Sequence, residues 1–245
     1  MSALAKAKEL IKRSLDNLEE EDLRTEFLDI VADNLWSRWQ TRCSMPDVAR
    51  YIEIKEQQLG FTSEVHPSYP KYLSHLGAAL QSRFLQTSSI DDLDRAISMK
   101  RKALDSTLQG HSDRPVYLNN LSSVLHSRFK RQGCLGDIDG AIAMSGEALV
   151  SISRDHPDYA SFVNTLGKTL QTRYWKLKSI EDLNESISMR IQALDLIPEN
   201  HSERPIYLSD LGIVLGMRFG ITGSMNDLNQ SILRQEEAVE STTED

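Results

Sequence analysis

Apolar residues return along this chain in two helical rhythms, and both rhythms restart every 45 residues. The first stripe runs through five columns. They are Leu28, Leu73, Leu118, Val163 and Leu208; then Val31, Leu76, Leu121, Leu166 and Leu211; then the small residues Ala32, Gly77, Ser122, Gly167 and Gly212. Leu35, Leu80, Leu125, Leu170 and Leu215 follow, and Trp39, Phe84, Phe129, Tyr174 and Phe219 close the stripe. Offsets of 3, 4, 7 and 11 residues put these positions on one face of a helix, here helix A. The small column implies that another helix approaches closely there.

A second stripe follows each first one. Val48, Leu93, Ile138, Leu183 and Leu228 precede Ile52, Ile97, Ile142, Ile187 and Ile232, with Ala103, Ala148, Ala193 and Ala238 near the end. This predicts helix B. No alternation of period two competes, so no strand is expected. Between A and B stand Ser44-Met-Pro-Asp47, Ser89-Ile-Asp-Asp92, Ser179-Ile-Glu-Asp182 and Ser224-Met-Asn-Asp227. They have the form of a capping box, in which the serine accepts a backbone N–H and the carboxylate reaches back. Cys134 replaces the serine once, so that cap should be weaker.

The register divides the chain into residues 21–65, 66–110, 111–155, 156–200 and 201–245, the first unit divergent. Residues 1–20 form the second half of an incomplete unit. Leu4, Ala7, Ile11, Leu15 and Leu18 make that segment an amphipathic capping helix. A single helix pair cannot bury both its stripes. Stacked pairs can, which makes a solenoid.

The string Leu73-x-x-Leu76-Gly77-x-x-Leu80, followed by Ala96-Ile97 and Ala103-Leu104, resembles the tetratricopeptide (TPR) repeat. Leu118, Leu121, Leu125, Ala141, Ile142, Ala148 and Leu149 carry it in the next unit. The usual unit is about 34 residues. The longer one here, with Tyr117-Leu-Asn-Asn-Leu121 and Asp92-Leu-Asp-x-Ala-Ile97, is similar to arrays of many fungal proteins. Some of those precede a caspase-like CHAT domain. The resemblance implies an all-α, right-handed α-solenoid of stacked antiparallel helix pairs. It implies a protein or extended peptide as partner, held on a concave face lined by helix A. A second reading is a regulatory array of a larger enzyme such as a CHAT protease.

Composition narrows the function. Seven prolines and 12 glycines among 245 residues are few for a loop-rich β fold. The net charge of -8 disfavours a nucleic-acid partner, which needs clustered Lys and Arg. Two cysteines, Cys43 and Cys134, make no disulfide framework and suit a reducing, cytoplasmic setting. No apolar run is long enough for a membrane span.

Several strings imitate chemistry, and each falls on a repeat column. His66, His111, His156 and His201 stand one per unit, as helix-start punctuation and not as a metal cluster. Gln132-Gly-Cys-Leu-Gly136 imitates a caspase nucleophile, but Cys134 occupies the turn position of the serines. Gly167-Lys168-Thr169 echoes a phosphate loop, yet Phe162 stands where the motif needs glycine. Arg38, Arg83, Arg128, Arg173 and Arg218 face the column Asp47, Asp92, Asp137, Asp182 and Asp227 as bracing across the turn. No catalytic residue, cofactor or metal is expected.

Transferring the tetratricopeptide groove by register gives three rows. The candidates are Asp29, Ser74, Asn119, Asn164 and Ser209; then Asp33, Ser123 and Lys168; then Trp36, Gln81, His126 and Gln171. Amides and hydroxyls can both donate to and accept from a peptide backbone. At the far end, Leu228, Ile232 and Val239 have no later helix to cover them, so self-association is expected through that helix.

Overall fold

Each stripe of helical periodicity is a helix in the computed structural model, which describes residues 21–243. The A helices are α1 (Glu21–Arg42), α3 (Tyr69–Thr87), α5 (Arg114–Gln132), α7 (Tyr159–Leu177) and α9 (Arg204–Thr222). The B helices are α2 (Met45–Phe61), α4 (Ile90–Asp105), α6 (Leu135–Ser151), α8 (Ile180–Asp195) and α10 (Met225–Thr243). Among the described residues there is no strand. The capping helix expected within residues 1–20 lies outside them. The chain forms two compact units, Met1–Leu108 and Gln109–Asp245. The first holds α1–α4 and the second α5–α10.

The turn from A to B is only two residues long, which folds the pair antiparallel. Its first residue takes a left-handed backbone: Cys43, Ser88, Gly133, Lys178 and Gly223, with φ between 47° and 74°. There the N–H of each returns to the carbonyl four residues earlier, at 2.7–2.8 Å, and closes helix A. The second residue is extended and starts helix B. Ser89, Ser179 and Ser224 accept from the N–H of Asp92, Asp182 and Asp227 at 3.4, 3.2 and 3.3 Å. Such a cap contributes about 1 kcal/mol. Cys134 makes no side-chain cap, as its weaker acceptor requires, and Ser44 makes none either.

The other half of the capping box is corrected by the structure. Arginines are the main partners of the carboxylates, and Asp227 in addition keeps a side-chain hydrogen bond with Ser224. Nε of Arg128, Arg173 and Arg218 donates to Asp137, Asp182 and Asp227 at 2.8–2.9 Å, and a second nitrogen donates to the other oxygen. Arg83 grips Asp92 in the same way, and Arg38 meets Asp47 at 3.1 Å. The aspartates are nearly fully buried. Breaking such a pair leaves a desolvated charge, so it matters more than an exposed ion pair worth up to about 1 kcal/mol.

The histidine column punctuates the A-helix starts. Nδ1 of His66, His111, His156 and His201 accepts the N–H two residues on, at 3.1–3.2 Å. That use occupies the ring in local backbone geometry.

Within each unit the stripes pack face to face. In the second, Val163, Leu183, Ile187, Leu208, Leu211 and Val214 belong to one buried cluster. On α10 the position of Leu183, Leu228, is half-buried, and two other B-helix positions are exposed. Ile232 is 48% exposed and Val239 63%, against 3% for Ile187 and 6% for Leu194, which α9 covers.

Candidate functional site

The small column of helix A and one polar column of helix B meet inside each pair. The polar column is Lys55, Lys100, Ser145, Arg190 and Gln235, again 45 residues apart. Lys55, Lys100, Ser145 and Arg190 are buried. A long side chain fits only because its opposite number is small. A Cβ on Gly77 would stand 2.7 Å from Lys100 Cγ, and one on Gly167 would stand 3.2 Å from Arg190 Cγ. On Gly212 it would meet the Gln235 amide at 2.9 Å. Where helix A has Ser122 instead, helix B has Ser145. The two hydroxyls bond at 2.6 Å and Ser122 also donates to the Ala141 carbonyl at 2.8 Å.

The long side chains end on the residues nominated for the A-helix face. In the first unit Lys55 Nζ lies 2.7 Å from Asp29 and 5.4 Å from the ring centres of Tyr51 and Tyr72. Gln58 and Tyr72 also donate to Asp29, at 2.9 and 3.3 Å. Burial works against ionising Asp29, but the bonds from Lys55 and Gln58 win and hold its carboxyl below the usual range. Asp29 is therefore saturated from within. Lys100 Nζ donates to Gln81 Oε1 at 2.7 Å. Ser74 is buried, Asp33 exposed and Trp36 half-buried.

In the second unit Arg190 binds three groups. Its nitrogens reach Asn164 Oδ1 at 3.4 Å, Gln171 Oε1 at 2.6 Å and Asp210 at 2.8 Å. Lys168 stands 3.8 Å from the same Asp210 carboxylate. A pocket of about 170 Å³ opens between α7 and α9, lined by Ser161, Asn164, Thr165, Lys168, Glu203, Ile206 and Tyr207. It brings together two nominated residues, Asn164 and Lys168. Gln171 lies outside it, as does Ser209, whose carbonyl accepts from Gln235 at 3.3 Å. His126 bonds Thr172 across to α7 at 2.7 Å, and Ser123 is half-buried. Asn119 Oδ1 is buried with no hydrogen-bond partner.

Three residues central to this arrangement escaped the sequence reading: Lys55, Lys100 and Arg190. Their signal was present as a polar column at the 45-residue spacing inside the apolar face of helix B. Among the described residues no group of three or more His, Cys, Asp or Glu side chains could hold a metal ion. No described helix is long and apolar enough to cross a membrane.

No family model matches the sequence, and no curated protein is significantly similar to it. Solved structures are similar in fold. BtubC (BKLC) from P. vanneervenii shares 15% identity at a TM-score of 0.67, over 99% of this chain and 92% of that one. A protein of nearly identical TPR-like repeats from Podosopora anserina shares 13% at 0.63, over 89% and 97%. YrrB, described as a TPR protein with an unusual peptide-binding site, shares 14% at 0.55, over 99% and 98%. At these identities the likeness shows the fold alone: an all-α solenoid of tetratricopeptide type.

Burial also sets a pH dependence. It pushes the Lys100 ammonium down to about 7. The unfolded lysine keeps its proton to about 10.4, so between these values the unfolded chain binds more protons and stability rises with pH. Burial, then Lys55 and Lys71, pushes His75 down to about 4; burial, then Lys130 and Lys168, does the same to His126. For these rings the unfolded chain takes up protons from about pH 6.5 downward, so stability falls from there toward pH 4. The urea midpoint should rise between about pH 7.5 and 9.5 in the native chain and stay level in Lys100→Met. A native midpoint that is level or falling over that range would contradict the assignment.

Proposed function

We propose that this chain is a non-catalytic interaction scaffold whose A-helix faces hold an extended peptide or protein segment. One observation carries the reading, the orphaned carbonyl of Asn119. In the next pair the equivalent oxygen, on Asn164, accepts from Arg190. Where Arg190 would stand in the pair of Asn119, the chain has Ser145, which is turned to Ser122. Asn119 Oδ1 is left buried and without a partner. A buried acceptor in that state costs about 1–3 kcal/mol, which a ligand N–H would recover.

Other features support the same reading. The catalytic-looking strings fall on repeat columns with local structural duties. Cys134 begins helix α6, and Gly167 is where Arg190 passes. The net charge of -8 favours a protein partner over a nucleic acid. YrrB, which shares the fold, is itself described as having a peptide-binding site.

A second surface belongs to the proposal. The B-helix face that α9 covers on α8 is uncovered on α10, through Ile232 and Val239. We read it as a face for self-association.

The two asparagines separate binding from stability. For a peptide selected by phage display against the native chain, Asn119→Ala should weaken binding about 5-fold or more while leaving the melting temperature unchanged or higher. Asn164→Ala should instead lower the melting temperature, because Arg190 loses a partner. Unchanged affinity in Asn119→Ala would overturn the face assignment. Light scattering should show native dimers that Ile232→Lys converts to monomers; monomers in both would refute self-association.

A further inference from the structure

The first helix pair departs from the later ones at three neighbouring columns. Trp36 stands where they have Gln81, His126, Gln171 and Gly216. Tyr51 stands where they have Ala96, Ala141, Ser186 and Ser231. Asp33 stands where they have Ala78, Ser123, Lys168 and Ile213. Packing alone does not ask for all three changes, since small or polar residues serve elsewhere.

The three sit together. The Trp36 ring stacks on Trp39 at 4.8 Å and meets Tyr51 at 4.9 Å. Trp36 keeps part of its surface in solvent, one helical turn from Asp33. The neighbouring Asp29 is already neutralised by Lys55. Asp33 is different. It is exposed and has no hydrogen-bond or ion-pair partner among the described residues. Burial, then the Asp33 charge, raises the Tyr51 hydroxyl, and the same charge works against the lowering of the His75 ring. His75 Nδ1 is buried without a hydrogen-bond partner. Lys71, exposed on α3, is a further cation whose charge reaches Asp29 and His75.

We propose that Asp33 and Trp36, with the buried Tyr51 ring backing the indole, form a subsite for an arginine side chain in a basic segment of the bound partner. A guanidinium can pair with a carboxylate through two N–H groups and lie along indole surface at the same time. A lysine ammonium matches the charge but not the plane. The second unit supplies the contrast. At the Asp33 column it carries Lys168, beside Arg190 and Asp210. The preference for a cation is thus local to the first unit and not a general effect of the chain's net charge.

The proposal rests on the peptide-binding reading, and its test is separate from the test at Asn119. A labelled arginine–glycine repeat peptide is titrated into the full chain at low salt and followed by anisotropy. Asp33→Asn should weaken it about 5-fold or more, while Glu236→Gln on α10, the same change in net charge, should leave it within about 1.5-fold. The matched lysine peptide should bind about 3-fold more weakly than the arginine peptide. Circular dichroism should show both variants folded, since both positions are exposed. Equal losses in the two variants would reduce the effect to net charge and overturn the subsite. Equal affinity for the lysine peptide would overturn the preference for arginine. Either result would leave the Asn119 reading standing.

Discussion

Each helix pair depends on one crossing, where a small residue on helix A makes room for a side chain from helix B. Gly77, Gly167 and Gly212 lie against Lys100, Arg190 and Gln235. The glycines here serve close approach, since a Cβ would press on the stem of the opposing chain. Shape and polarity are set by the same contact. The stem fills the interface as hydrocarbon, and the buried head of Lys55, Lys100 or Arg190 ends on polar side chains of helix A. Ser122 with Ser145 shows the alternative solution, in which both partners are short and bond each other.

That crossing decides what the A-helix face can offer a ligand. Where the B-helix residue is long, it takes up the nearby amides and carboxylates. Asp29, Gln81, Asn164 and Gln171 are all engaged in this way. Where it is short, Asn119 is left with an unmet acceptor. Polar groups that look alike along the sequence therefore differ in availability. The difference comes from a residue on the other helix, 26 positions further along.

Much of the fold was legible because burial forces periodicity. The stripes through Leu73, Leu76 and Leu80, and through Leu93 and Ile97, sit on buried faces. The Arg–Asp columns were legible as partners across the turn. Other features were hidden for physical reasons. Gly133 and Gly223 signal a left-handed turn, but Ser88 and Lys178 take the same backbone without any such signature. The carboxylate of the capping box was assigned to the backbone because its competition with an arginine nine residues earlier is a tertiary matter. Lys55, Lys100 and Arg190 were missed because cations are normally read as solvated. Their column, in register with the glycines, was the available clue. Among the groove candidates, a residue's row could be read from the register, while its partner could not.

The central claim is that the two columns act as one unit, and a double-mutant cycle at the second pair tests it most directly. Gly77→Ser, Lys100→Ser and the double variant, which copies the Ser122–Ser145 solution, are compared by urea unfolding. The account predicts that each single change destabilises and that the double variant recovers at least about 1 kcal/mol relative to their sum. Additivity within about 0.5 kcal/mol would show that the columns are independent and would contradict the account.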